Sequence, residues 1–465
     1  MRRLSPLCTA ILLAGTCSNL QAMTLSEAIQ STLDNHPELQ ASSSGRLIAD
    51  EEVKIAKGGY QPSIDLISGY GYTYEKGRYN EEIDRDTLRP NNDRSEATTY
   101  TNGEIRLRQM LFDGFNTPNE VARTEAVANS RAYYVQATAQ SLGLRTTEVY
   151  LDVLKRREMV ELARNNLMAH TRIDDQISLR KKQGVGSAAD QDQSQARLAL
   201  ATNNLYTEQV NLADAEANFY SVTGRMPDEL ESPASIRGEV PANLSAARQS
   251  VLSNNPYLKS AQADVQAAEK QYESSKSTFY PRFDGELATN NNDSSNSDYD
   301  FNQDEGNWHG WRAGVTMTYN LYNGMRDKAG MQSASYKVNQ AMETRNNALR
   351  VINEDLSLSW NALENAQKQT PEARKYAEYS AGSREAYQQQ FSLGQRSLLD
   401  LLDSENELFT ANRRYTEVRY TEEFSMYRVL GTTGELLSKQ QVVLPATATE
   451  ASPVENMAQL LPEMK

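Results

Sequence analysis

Between Pro118 and Gly184 the chain holds a single helix breaker, Gly143, so about 65 residues can run as one helix of roughly 100 Å. A small compact domain is only about 30 Å across, so this run cannot fold back into an ordinary globule. Val149, Val153, Val160 and Leu167 recur within it at spacings built from threes and fours, which gives a narrow apolar stripe. Alanine-rich stretches raise helix propensity and let neighbouring helices approach closely. Gly184-Val185-Gly186 ends the run, and a second helix, free of Gly and Pro, is expected from Ser187 to Thr223. That helix covers only about half of its long partner. The rest needs another cover, and the segment from Leu39 to Lys57 has the right length. Each long helix is therefore expected to lie beside two short ones stacked end to end.

The whole arrangement occurs twice. Asn35-His36-Pro37-Glu38-Leu39 returns as Asn254-Asn255-Pro256-Tyr257-Leu258, and Gln61-Pro62 as Tyr280-Pro281. Leu111-Phe112-Asp113-Gly114 returns as Leu321-Tyr322-Asn323-Gly324. Gly184, Ser187 and Asp190 return as Gly394, Ser397 and Asp400, and Tyr220 and Gly224 as Tyr427 and Gly431. Anchors in one order at nearly constant spacing mark two homologous halves. The expected organisation is a signal peptide over 1–22, a first repeat over 23–240 and a second over 241–434. Strands are expected near 63–75, 101–112, 282–290 and 310–322, and long hairpins over 117–223 and 326–431. Pro371 is expected to bend the second long helix, which should run from about Asp327 to Phe391. A weakly structured tail is expected over 435–465, where Pro445, Pro453 and Pro462 accumulate.

The strand segments alternate with period 2. Trp311, Ala313, Val315, Met317, Tyr319 and Leu321 share one face, against Arg312, Gly314, Thr316, Thr318 and Asn320. Ile64, Leu66, Tyr70, Tyr72 and Tyr74 oppose Asp65, Gly69, Gly71 and Thr73; Ile105, Leu107 and Leu111 oppose Glu104, Arg106 and Arg108; Phe283 and Leu287 oppose Asp284 and Glu286. A soluble sheet with one wet face would read this way, and so would a membrane barrel with apolar side chains toward lipid. Four strands cannot close a barrel, and lipid tolerates no open edge. If these strands lie in a membrane, several chains must share one barrel. The polar segments Glu75–Tyr100 and Asn290–Trp308 then become external loops. Asp298, Asp300, Asn302 and Asp304 have the spacing of a calcium loop, but Gln303 replaces the required Gly and His309 stands at the last ligand position, so a solvated loop is the expectation.

Arg2, Arg3 and the apolar stretch from Leu4 to Gly15 form a secretory signal with a cleavage site after Ala22. Cys17 follows Ala14-Gly15-Thr16 as a lipidated cysteine might be placed, though Thr16 fits that signal poorly. Both cysteines, Cys8 and Cys17, lie inside the signal, so the processed chain can form neither disulfide nor thiolate metal site. Loss of the two arginines would take the formal charge from -14 to -16, which disfavours nucleic acid as a partner. Only 38% of the residues are hydrophobic, enough for stripes on long helices but not for a thick core. His36, His170 and His309 have no metal-ligand spacing, and no nucleophile or phosphate-loop motif occurs. No catalytic residue, metal or cofactor is therefore expected. A periplasmic adaptor, the other class with long hairpins, would have one hairpin rather than two and no amphipathic strands.

In this order the residues resemble the TolC family of outer-membrane efflux and secretion ducts. The likeness is carried by Leu25-Ser26-Glu27-Ala28, Asn35-His36-Pro37-Glu38-Leu39, Gly59-Tyr60-Gln61-Pro62-Ser63, Leu111-Phe112-Asp113-Gly114, and the run from Gly394 to Asp403. It covers about residues 23 to 435. The resemblance implies a mainly α chain with a membrane β-barrel: a homotrimer sharing 12 strands in outer-membrane lipid above a periplasmic α-barrel tunnel. It implies as partners a periplasmic adaptor (membrane fusion protein) and an inner-membrane ABC transporter. The stretches Glu148 to Arg156 and Val160 to Ala163 are most similar to outer-membrane components of type I secretion systems that export large adhesins. A multidrug duct served by an RND pump shares the architecture and stays open as the alternative. By the same resemblance the tips Gly184, Val185, Gly186 and Gly394, Gln395, Arg396 would contact the adaptor, although glycine also simply ends helices. Asp400 and Asp403 would form the pore gate, although Asp is also favoured at any helix N-terminus. Asp190 and Arg396 would form an ion pair between tips. Phe391 stands where the family has a hydrogen-bonding tyrosine, and Gln193 is the first-half counterpart of Asp403.

Overall fold

The computed structural model describes residues 22–77, 94–296 and 306–450. Residues 1–21 with both cysteines, the calcium-like stretch 298–304 and residues 451–465 lie outside them. The first half runs through helices Leu25–Asn35 (α1) and Pro37–Gly58 (α2), strands Ser63–Gly77 (β1) and Arg94–Phe112 (β2), the long helix Asn116–Lys182 (α3) and its return Ala188–Thr223 (α4). The second repeats this as Leu244–Asn254 (α5), Pro256–Ser275 (α6), Arg282–Asn296 (β3), Gly306–Thr318 (β4), Arg326–Ser392 (α7) and Leu398–Thr433 (α8). A short helix, Leu436–Lys439 (α9), follows. Both long helices have 67 residues and both return helices 36. α7 continues through Pro371 as one uninterrupted helix.

Local chemistry explains the repeated motifs. The prolines of the Asn-x-Pro repeats, Pro37 and Pro256, sit at the first helical position, where their missing N–H costs nothing. The preceding residue caps the helix: Asn255 Oδ1 accepts from the Leu258 N–H at 3.0 Å, and His36 Nδ1 from Glu38 at 3.3 Å. At the strand-to-helix turn, Gly114 and Phe115 are both left-handed, with φ of 68° and 65°, and Gly324 and Met325 repeat this at 59° and 63°. A Cβ on Gly114 would lie 2.6 Å from the Ser277 carbonyl, so this glycine is required twice over, by conformation and by crowding.

The elements form three tiers. The sheet is antiparallel in the order β1-β2-β3-β4, with a bulge between Met110 and Phe112. Below it the packing order is α2-α3-α6-α7; lower still, α3 packs on both α4 and α8, and α8 on α7. The main core lies where the helical tiers meet. There Tyr150, fully buried, donates to the carbonyls of Met23 at 2.7 Å and Glu231 at 2.6 Å. Among the described residues no helix is long and apolar enough to cross a membrane.

Several boundaries differ from the sequence reading. β2 begins at Arg94 and β3 reaches Asn296, well into the segments read as loops, because backbone pairs such as Gly77 with Arg94 and Asn102 with Asn292 need no apolar side chain. β4 stops at Thr318, so Tyr319 and Leu321 fall beyond the ladder. The tail is not weakly structured as far as Glu450. Leu436 and Leu437 are buried, Gln136 donates to the Ala448 carbonyl at 2.6 Å, and Gln30 and Val443 exchange two hydrogen bonds. Gly143 explains itself here: a Cβ would lie 2.6 Å from Leu437 Cδ2, so the one breaker in α3 makes room for the tail.

Candidate functional site

The two hairpin tips are built alike. α3 ends with the Val185 N–H on the Arg180 carbonyl at 3.0 Å, and α7 with the Gln395 N–H on the Gln390 carbonyl at 2.9 Å. Gly184 and Gly394 carry the left-handed φ that this closure requires, 80° and 73°. Ser187 and Ser397 then cap the return helices in reciprocal boxes with Asp190 and Asp400. Val185 and Leu393 stand 75% and 72% exposed, so each tip shows solvent an apolar side chain.

Beneath the tips lies a small apolar plug of Ile173, Ile177, Phe391, Leu398, Leu401 and Leu402. Phe391 is buried in it, with the Arg180 guanidinium 4.6 Å from its ring centroid. A cation over the ring thus stands where the resemblance implies a tyrosine hydroxyl.

The expected site residues separate into two groups. Asp400 accepts from the Ser397 hydroxyl at 2.8 Å, and that bond holds its carboxyl below the usual range, with the Ser397 backbone N–H and Arg396 adding to the effect. Within one chain, then, Asp400 acts as the helix-capping acid. Asp190 and Arg396 do not form the expected pair in the chain. Arg396 donates to Gln390 Oε1 at 2.9 Å, lies 3.8 Å from Asp400 and stacks 4.4 Å from the Tyr387 ring centroid.

Sequence reasoning missed the partner of Asp403. Arg197 on α4 reaches it across the hairpins at 2.8 Å. Both side chains are partly exposed, 30% and 56%, so the pair is worth about 0–1 kcal/mol. Higher up, the buried Glu208 of α4 lies between Arg413 of α8 at 3.1 Å and Arg156 of α3 at 3.7 Å. Removing the acid from this clamp leaves Arg156 with Asp152 at 3.6 Å and both guanidinium groups partly open to water, so the cost is about 1–3 kcal/mol. Glu405 is also buried, beside Arg384 at 3.2 Å; burial raises its carboxyl, while Arg384 and Arg172 oppose the rise. A charge inside an apolar stripe, as at Glu208, is the one signal in the sequence that could have flagged this clamp.

The comparisons with known proteins agree with this architecture. The family described as outer membrane efflux protein matches residues 28–225 and 247–431. The outer membrane efflux protein BepC of Brucella suis is 27% identical over 434 residues, covering 93% of this chain and 90% of that one. Outer membrane protein TolC of Escherichia coli is 25% identical over 476 residues, covering 100% and 93%. The proteases secretion protein PrtF of Dickeya chrysanthemi is 24% identical over 473 residues, covering 98% and 97%. The solved Campylobacter jejuni CmeC outer membrane channel superposes with a TM-score of 0.71 over 94% of this chain and 88% of its own, at 14% identity, a likeness of fold. The chain belongs to the outer membrane efflux protein family and is an outer-membrane channel of the efflux and secretion type, its long helices on the periplasmic side.

Proposed function

We propose that three copies of this chain form one duct, the outer-membrane part of a tripartite export system. One observation carries the reading: every tier ends on the same two margins. β1, α2 and α4 lie at one, and β4 and α7 at the other. Units with one pair of unlike margins close head to tail into a ring. On the sheet, Leu66, Tyr70, Trp311 and Val315 are 65% exposed or more on one face, as lipid contact requires. Two copies would give about 8 strands, whose interior side chains fill; three give 12 and leave a lumen.

In that ring Asp400 and Asp403 face the entrance as the gate. Arg396, at the turn leaving the α7 margin, comes to Asp190 at the start of α4 in the next copy, so the expected pair forms between chains. The tips Gly184-Val185-Gly186 and Gly394-Gln395-Arg396 dock the adaptor, which joins the duct to an inner-membrane ABC transporter. The cargo is a secreted protein, a large adhesin by the likeness around Glu148–Arg156; the secretion role in PrtF's name supports this class. The efflux role in BepC's name supports the second reading, a multidrug duct on an RND pump. Deleting the gene and measuring both secreted protein and drug susceptibility decides between them: we expect a missing extracellular protein at unchanged susceptibility. Crosslinked membranes that give only monomer would overturn the duct itself.

A further inference from the structure

We propose that the lumen side of the sheet carries a charge-balanced belt and that Arg312 is its specificity-determining residue, holding the barrel wall electrically neutral so that ions and cargo of either sign pass. The proposal rests on the duct reading, since it assigns what lines that barrel.

With Leu66, Tyr70, Trp311 and Val315 toward lipid, the alternate residues of the same strands face the lumen. The register sets Asp65 beside Arg106, Arg106 beside Ala288, and Ala288 beside Arg312. Arg312 reaches across β3 over the small side chain of Ala288, which is left 2% exposed. It donates to Glu286 on β3 at 2.8 Å and to Glu104 on β2 at 3.0 Å. Glu104 also accepts from Arg106 at 2.6 Å, and Glu286 lies 3.5 Å from Arg108. One guanidinium thus joins two carboxylates that each have a second arginine. Toward the helices Arg282 pairs with Asp284 at 2.7 Å, and Asp65 completes a set of four cations and four anions. The whole chain has 62 acidic residues against 48 basic, so an even balance here departs from its composition. The next rows outward, with Asn102, Asn292 and Trp308 and then Tyr100 and Ser294, carry no charge. A carboxylate paired with a guanidinium presents little field to a passing ion. One left alone presents a full charge, repeated in every copy around the ring.

Twelve strands about 4.8 Å apart and tilted by about 40° close at a radius of roughly 12 Å. The Debye length is about 30 Å in 0.01 M salt and about 3 Å in 1 M, so a charge on the wall is felt across the lumen only in the dilute solution. Reversal potentials of the purified full-length trimer in planar bilayers read that charge. Asp400→Ala with Asp403→Ala serves as a common background, free of the entrance acids. In about 0.01 M potassium chloride Arg312→Gln should shift the permeability ratio several-fold toward cations. Glu104→Gln or Glu286→Gln should each shift it several-fold toward anions. Arg312→Gln with Glu104→Gln restores the balance without restoring the bridge, and should return the ratio of the background channel. Arg312→Lys keeps the charge without the two-pronged contact and should leave the ratio unchanged. A merely structural brace would behave in the opposite way, with the double variant the most altered and Arg312→Lys altered too. Every shift should vanish in about 1 M salt. Single variants that move the ratio in one direction or not at all, a double variant as altered as the singles, or shifts that persist in concentrated salt overturn the belt. A chain that yields no trimeric channel even unsubstituted overturns the duct reading instead.

Discussion

α3 and α7 are two versions of one duplicated helix, equal in length and entered by the same pair of left-handed residues, yet they are buried differently. α3 lies between neighbours on both sides, and its buried residues run from Thr117 to Ile177 around much of its circumference. α7 has neighbours on one side only. Its large buried side chains Leu349, Leu356 and Leu363 repeat every seventh residue, a single seam. Where α3 exposes Ser141 and Glu148, the matching positions of α7 expose Val351 and Leu358, 54% and 53% accessible. Duplication thus copied the backbone and its turns, while the exposed surface diverged with position in the layer. An apolar residue exposed at a margin, matched to a polar one in the middle, lies on the face that the proposed head-to-tail ring would cover.

The largest effect should come from making α7 resemble α3. Val351→Ser with Leu358→Glu removes two apolar anchors from each margin, at roughly 3 kcal/mol or more per interface. The trimer should vanish from crosslinked membranes while each chain keeps its helical circular dichroism. The reverse change, Glu148→Leu, should leave assembly as it is, and a trimer that survives the first pair would remove α7 from the interface.

Next in size is the clamp, for which the second half has no equivalent. Val418 occupies the position matching Glu208 and is itself buried. Glu208→Val should destabilise the chain by about 1–3 kcal/mol in denaturant titrations, since Arg413 and Arg156 lose the buried acid and only water and Asp152 remain to meet their charges. Replacing both arginines by Met in the same variant should recover most of the loss.

The smallest effect concerns His170, buried on α3, where α7 has the buried Ser380. Burial lowers the His170 pKa, and the charge of Arg197 lowers it further. The neutral ring is thus favoured in the folded chain. Its contribution to stability is full above the unfolded value of about 6.5 and is lost as pH falls through the lower folded value. Melting temperature should therefore drop as pH falls below about 6.5, and His170→Ser, which copies the second half, should flatten that part of the profile. An identical slope in the variant would assign the acid sensitivity to other groups.

Much of this was open to inspection in the sequence. The Asn-x-Pro repeats fix helix starts, the tip glycines fix helix ends, and the alternation over Trp311–Met317 fixes a strand with one apolar face; all are local rules set by φ, by missing N–H groups or by side-chain period. The start of the tail, as far as Glu450, differs from the reading because its prolines are visible in sequence while the pocket for Leu437 is not. The partner of Asp403 was not legible, because which residue of another helix lies beside it is not a local quantity.

The sequence by itself determined the two halves, their long helices and the four amphipathic strands. Each follows from periodicity or from the geometry of single residues. Only the tertiary structure decided which charges meet. Arg197 finds Asp403 and Glu208 finds Arg413 because α4 and α8 lie against the same helix at a particular register. That register is set by packing along α3, and no spacing within one helix encodes it.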